Sequence, residues 1–253
     1  YIFFEKASLI TIGARPAMGK TALGLNMAYK NSINHNVMYV NLEMSTQQIT
    51  NRILASMSGV PLWKIKHKKI EDADIQEIIK NLKKFEKLNL SILDCSDTNF
   101  HTIIQGIKRV HEKNNINLIV IDYLILMQAR GFSNKNLEVE YMANRLKALS
   151  KELNTCIVVL AQLSREVEKR ADKRPILSDL RDSGGIEQAS NMIMFLYRDD
   201  YYSKQKENDE KLSILEVIVR KNRDGDLGTA YLAYNRITQE IRTAILQRQL
   251  TEE

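Results

Sequence analysis

Cysteine is scarce in this sequence. Cys95 and Cys156 are the only two among 253 residues. They lie far apart in no paired spacing, so a cysteine-built framework is not expected. Each sits in or beside an apolar, strand-like run, where a thiol packs as a small hydrophobe; a reducing, cytoplasmic setting is the expectation. The four histidines, His35, His67, His101 and His111, do not cluster with the cysteines, which argues against structural zinc. No apolar run approaches membrane-spanning length, and the opening Tyr1-Ile-Phe-Phe-Glu-Lys6 lacks the pattern of a secretory signal. Internal repeats and low-complexity tracts are missing as well. The chain enters its first apolar strand almost at once, as one domain of a longer protein would. The expected organisation is a single domain over residues 1–253.

Hydrophobic residues make up 44% of the chain, enough for one large core. The formal net charge of +6 suits a polyanionic partner, but many soluble proteins are mildly basic. Strand-like runs recur at Leu9–Ile12, Val37–Asn41, Leu90–Leu93, Leu118–Ile121, Ile157–Leu160 and Met192–Leu196. The first five are short and largely unalternating, the pattern of strands buried on both faces of a parallel sheet. Helical spacing fills the gaps: a Ser45 N-cap before Ile53 and Leu54, then 72–88, 98–110 and 137–153. This alternation predicts an α/β fold with a mostly parallel central sheet flanked by helices. Leu212–Arg220 and Thr229–Asn235 flank a Gly-containing turn and predict a C-terminal β-hairpin extension. Residues 199–211 read as a mobile surface loop. The basic run Lys64-Ile-Lys-His-Lys-Lys69 reads as a solvated loop, because no aromatic beyond Trp63 interleaves it.

The organising stretch is Ala14-Arg-Pro-Ala-Met-Gly-Lys-Thr21. Strand, glycine-containing turn, Lys-Thr and helix together form the context of a phosphate-binding loop. Backbone N–H groups and the positive helix end make an anion site. Lys20 would add charge on the outer phosphates, and Thr21 a hydroxyl for magnesium. Ala14 stands where the general pattern has glycine, with Gly13 one position early. Alanine is tolerable there if the position does not need a positive φ.

Hydrolysis needs more than a cradle. Asp122 ends an apolar strand, where an acid faces the ligand crevice of an α/β sheet and can hold a metal with Thr21. Glu43 follows another strand and suits a general base on water; a helix-initiating acid ahead of Ser45 is an equal reading. Gln162 ends the fifth strand, as a γ-phosphate sensor or as a loop amide serving backbone groups. Lys221 and Arg223 point the same way from a strand. They suit either a basic finger entering a neighbour's site or a solvated hairpin tip. Ser178–Gln188 is polar with two glycines; Arg181 and exposed N–H groups there could grip a nucleic-acid backbone without reading bases.

The order of these motifs, from Ala14–Thr21 through Asn41-Leu-Glu-Met44, Ile121-Asp-Tyr-Leu-Ile-Leu-Met127, Leu146–Leu153 and Asp172-Lys-Arg-Pro175 to Ser178–Gln188 and Lys221-Asn-Arg-Asp-Gly225, resembles DnaB-type replicative DNA helicases over nearly the whole chain. It is similar to their C-terminal, RecA-like motor domain, a P-loop NTPase. The resemblance implies ATP hydrolysis with magnesium at subunit interfaces of a homo-hexameric ring. It also implies 5′→3′ movement on single-stranded DNA at the nucleoid's replication fork, with primase and a helicase loader as partners of parts outside this chain, and no membrane. Residue by residue, it implies nucleotide contacts by Ala14, Arg15, Pro16, Ala17, Met18, Gly19, Lys20 and Thr21. Arg52 falls where the family has another site arginine. Thr21 and Asp122 match the metal side, Glu43 the catalytic acid, Gln162 the sensor, and Lys221 and Arg223 the pair supplied in trans. Arg181, Asp182 and Gly184 match the DNA-binding loop. Two departures stand out: Ile125 where the family usually has glutamine, and Ala189-Ser190-Asn191 where it usually reads Asp-Ala-Asp, so that two acids are lost. The rival readings are a RecA-like recombination or repair ATPase and a non-unwinding, helicase-loading relative. Strand displacement distinguishes the first, and basal ATPase the second.

Overall fold

The computed structural model describes residues 4–95, 97–180, 184–202 and 212–244, and within these all six apolar runs are strands. They are β1 (Leu9–Ala14), β2 (Val37–Asn41), β3 (Leu90–Asp94), β4 (Leu118–Asp122), β5 (Cys156–Gln162) and β6 (Met192–Tyr197). The hairpin is β7 (Leu212–Asn222) and β8 (Gly228–Asn235), followed by the short β9 (Ile241–Thr243), which the sequence did not announce. These strands form one sheet in the order β3-β2-β4-β5-β1-β6-β7-β8-β9. The first six pair in parallel, and β7, β8 and β9 continue the sheet antiparallel. The helices are α1 (Lys20–Asn31), α2 (Thr46–Ser58), α3 (Leu62–His67), α4 (Asp72–Phe85), α5 (Phe100–Asn114), α6 (Lys135–Glu152) and α7 (Gly184–Ala189).

Period-two side-chain direction explains why the central runs are apolar throughout. Ile10, Ile12, Tyr39, Val120, Val158 and Leu160 share one core with Leu25 and Ala28 of α1 and Ile49 and Ile53 of α2. Their sequence neighbours Leu9, Met38, Val40, Ile119, Ile121, Ile157 and Val159 fill a second core with Ile103 of α5 and Met142 and Leu146 of α6. Each strand therefore serves two cores. β3 departs from the expected burial on both faces: at the sheet edge it is only half-buried.

Local capping agrees with the chain's signals. Gln48 N–H donates to Ser45 Oγ at 3.3 Å and Ser45 N–H to Gln48 Oε1 at 2.9 Å, closing a capping box on α2. The basic run at 64–69 is not a loop throughout; most of it is α3, and Lys64 bridges Glu71 (3.0 Å) and Asp74 (2.8 Å). Those acids begin α4 and give the lysine a partner that spacing within the run itself did not reveal. Cys156 is buried as expected and Cys95 half-buried, both as free thiols. The segment 203–211, read as a mobile loop, lies outside the described residues.

Candidate active site

Parallel register brings the ends of β1, β2, β4 and β5 to one edge of the sheet. Ala14 is level with Gln162, and Asn41 with Asp122. Beyond Ala14 the chain turns through Arg15–Gly19 into α1. The left-handed positions of this turn are Ala17 (φ 64°) and Gly19 (φ 96°). Ala14 is the last residue of β1 and is not one of them. The mismatch to the general loop pattern is thereby explained, because an alanine in extended backbone is unstrained. Gly19 is the N-cap of α1, whose first turn holds no acid. Its N–H groups and positive end are left for an anion.

Asp122 is the centre of the arrangement. It is 2% exposed, and its Oδ2 accepts from Thr21 Oγ1 at 2.8 Å and from Tyr39 OH at 2.8 Å. Lys20 Nζ stands 3.4 Å from Oδ1, an ion pair that lacks hydrogen-bond geometry, so Oδ1 is buried without a hydrogen-bond donor. An orphaned carboxylate oxygen beside a threonine hydroxyl fits a magnesium ion, which takes one or two protein oxygens and completes its shell with water and phosphate. Among the described residues no cluster of three or more His, Cys, Asp or Glu could hold a metal alone. Burial lowers the Lys20 pKa, while Asp122 and Glu43 oppose that shift; the ammonium also lies 3.9 Å from the Tyr123 ring centroid. Burial, then the neighbouring Asp122, pushes the Tyr39 phenol far up, so Tyr39 stays a donor.

Around these residues lies a cavity of about 410 Å³. Ala14, Arg15, Pro16, Ala17, Gly19, Lys20, Thr21, Glu43, Arg52 and Gln162 all line it. Glu43 is exposed just past β2, and Gln162 is half-buried at the end of β5. Both therefore reach the cavity from strand ends. Arg52, on α2, donates to Gln239 Oε1 at the cavity wall. Met18 differs from its loop neighbours. Its side chain is 1% exposed and packs in the first core, so it serves the loop through its backbone. Arg15 is also mostly turned away: its guanidinium donates to Leu163 O (2.8 Å) and pairs with Glu168 (2.8 Å).

Sequence reasoning missed four contributors. Tyr123, Tyr234 and Gln239 line the cavity. Arg198 lies beneath it, 5% exposed, donating to Ala17 O at 3.1 Å and held by Asp200 at 2.7 Å, with its guanidinium over the Tyr234 ring. The available signal was an Arg-Asp-Asp at the carboxyl end of β6, the same kind of position that singled out Asp122.

Lys221 and Arg223 are not brought to this cavity. Arg223 N–H donates to Asn191 O, and Asn191 N–H to Leu9 O. This places Arg223 level with the start of β1, about 17 Å along the sheet from Ala14 at the usual strand rise. Their side chains donate to Glu187 O and Gln188 O, at the end of α7. Gly184 opens α7, whereas Arg181 and Asp182 lie outside the described residues. The departures from the family's Asp-Ala-Asp are accommodated. Ala189 is buried in the second core, Ser190 Oγ is 2.8 Å from Thr11 Oγ1, and Asn191 Oδ1 accepts from Lys147 Nζ at 2.6 Å and Leu9 N–H at 3.2 Å. A larger cavity of about 510 Å³ lies at that opposite edge, beside the β7–β8 turn. Glu5, Asp224 and Asp226 line it, and among the described residues no basic one does, so its charge disfavours a phosphate.

Residues 3–243 match the family model of the DnaB-like helicase C terminal domain. The replicative DNA helicase DnaB of Geobacillus stearothermophilus is 38% identical over 235 residues, covering 91% of this chain and 51% of that protein. The chain thus spans about half the length of the curated relatives it matches. A solved structure of a DnaB-like replicative helicase, described with its interactions with primase, superposes with a TM-score of 0.88 at 32% identity, over 95% of this chain and 58% of that one. A solved ATPase domain gives the same TM-score and identity over 95% and 86%. The RecA-like architecture expected from the sequence is the one observed. Among the described residues, no helix is long and apolar enough to cross a membrane.

Proposed function

The chain belongs to the family of DnaB-like helicase C-terminal domains, and from that premise we propose that it is the ATP-hydrolysing motor of a replicative DNA helicase. In this reading residues 1–253 form one motor domain that assembles as a homo-hexameric ring. The ring moves 5′→3′ on single-stranded DNA and unwinds the duplex at the replication fork, with primase and a helicase loader as partners of the whole protein. One observation carries the reading: Lys20, Thr21, Asp122, Glu43 and Gln162 meet at one edge of the sheet, while Lys221 and Arg223 lie at the other.

The loop N–H groups and Lys20 bind the outer phosphates of ATP. Thr21 and Asp122 would hold magnesium, which supplies charge neutralisation on the β- and γ-phosphates. Glu43 takes a proton from water as its oxygen bonds the γ-phosphorus. The bridging P–O bond breaks, leaving ADP and inorganic phosphate. Gln162 reads the presence of the γ-phosphate with a neutral amide, which adds no repulsion. Lys221 and Arg223 are out of reach of their own cavity and face a neighbour's, where positive charge stabilises the developing negative charge.

The test is a forked DNA with a 5′ single-stranded tail. The expected result is ATP-dependent strand displacement together with ATP hydrolysis stimulated by single strands. Hydrolysis without displacement by the assembled protein would favour the recombinase reading, and absence of hydrolysis the non-catalytic one.

A further inference from the structure

Residues 163–180 join Gln162, at the nucleotide cavity, to the stretch assigned above to single-strand binding. Nothing in the hydrolytic scheme uses them. Their regular structure is two 3-10 turns, Arg165–Lys169 and Leu177–Asp179, and a connection so long and irregular is usually functional or loosely held. This one is pinned. Leu163 N–H donates to Ala14 O at 3.1 Å, and Arg15 clamps the segment through Leu163 O and Glu168. Near the far end, Arg170 makes two parallel bonds to Asp179, at 2.9 and 2.6 Å. Asp179 is 3% exposed. Its carbonyl accepts from Ser164 N–H at 2.9 Å. Thus the residue two positions past Gln162 is bonded to the residue immediately before Leu180. In the middle, Arg174 makes a second fork, to Glu216 of β7 at 2.8 and 2.7 Å.

We propose that the Arg170–Asp179 pair is a positioning pair that couples occupancy of the nucleotide cavity to single-strand binding; the proposal rests on the helicase reading above. A fork-to-carboxylate pair has one good geometry, and a buried carboxylate tolerates no looser one. A shift of Gln162 on meeting a γ-phosphate moves Ser164. Asp179 is hydrogen-bonded to Ser164, and Arg170 keeps it from swinging free, so the shift passes to Leu180 and is not absorbed within the segment. The Arg174–Glu216 fork anchors the middle, so the segment pivots and does not slide. Contiguity alone does not establish coupling; a change in one ligand's affinity caused by the other does.

The experiment measures binding of a labelled single-stranded oligonucleotide to the full chain, with and without a magnesium-bound ATP analogue whose β–γ bridge cannot be cleaved. The ratio of the two affinities is the coupling, about 5- to 150-fold for ordinary linked sites. In Arg170→Ala the ratio is expected to fall to within about threefold of unity, while basal ATP hydrolysis without DNA stays within about threefold of wild type. Arg170→Lys keeps charge but loses the fork, and should lose part of the coupling. Because a lone buried Asp179 could unfold the chain, the double variant Arg170→Gln with Asp179→Asn repeats the measurement with both charges gone. Exchange of the two residues should restore part of the coupling. A wild-type-sized ratio in both Arg170→Ala and the double variant overturns the proposal alone, as does an equal loss of both affinities with the ratio unchanged. A wild-type ratio of unity overturns it together with the helicase reading.

Discussion

Thr21 Oγ1 donates to Asp122 Oδ2 at 2.8 Å, joining two residues 101 positions apart in the chain. One opens α1 and the other closes β4, and only the parallel sheet makes them neighbours. The bond orients the carboxylate so that Oδ1, which has no hydrogen-bond donor, faces Lys20. Asp122→Asn keeps an oxygen for Thr21 and Tyr39 but removes the charge a cation needs. Its nucleotide affinity is expected to lose most of its magnesium dependence, measured by titration with and without the metal. A variant as magnesium-dependent as wild type would remove Asp122 from the metal side.

Lys20→Ala removes the ammonium from the phosphate loop while Gly19 and the left-handed turn remain. ATP turnover should fall by about 100-fold or more, the scale for loss of one preorganised charge-stabilising group. Steady-state hydrolysis at saturating nucleotide checks it. Turnover near the wild-type value would sink the assignment of the loop.

Arg223 sits level with Leu9, and Glu43 lies past the far end of β2, so one chain cannot bring both to one cavity. Arg223→Ala should keep nucleotide binding and lose hydrolysis by about 1,000-fold or more, the range for an arginine finger. Mixing it with Glu43→Ala should recover activity, because some interfaces then pair an intact Glu43 with an intact Arg223. No recovery at any mixing ratio would place Arg223 outside a trans role.

Arg181 lies outside the described residues, and its role comes from the resemblance alone. A phosphate contact weakens all sequences alike and lowers the salt dependence of binding. Arg181→Ala should therefore weaken single strands of different composition by the same factor, read from titrations at several salt concentrations. A loss confined to particular sequences would mean base contacts instead.

Cys156 is held by Ser8 Oγ at 3.5 Å, and burial pushes its thiol up to about 11. Since the reactive form is the thiolate, only about one molecule in 1,000 would carry it at pH 8. The native chain should label slowly at Cys156 and fully once denatured, followed by mass spectrometry of the labelled peptides. Rapid native labelling would show that the β5 end of the sheet opens.

Strand identity and the positions of Lys20, Thr21, Glu43, Asp122 and Gln162 were legible in the sequence because they depend on local pattern: a short, unalternating apolar run, then a polar residue where the strand ends. Which strands are neighbours was not legible, because the order β3-β2-β4-β5-β1-β6 is set by crossovers and packing between distant segments. Arg15 shows the limit within a single motif. Its place in the phosphate loop suggested a nucleotide contact; it does line the cavity, but its guanidinium is engaged by Leu163 O and by Glu168, a partner 153 residues away that no local pattern reveals. Arg198 had only its place at a strand end as a signal, and its link to the loop emerged through the carbonyl of Ala17. Lys221 and Arg223 were ambiguous for the same reason: two alternating basic residues read alike at a solvated tip and at a finger. The sequence by itself determined the fold class and the chemistry available at each strand end, since both follow from side-chain type and spacing. Tertiary structure decided which groups meet, and that the basic pair lies beyond reach of its own cavity, since distance across a sheet depends on register between strands.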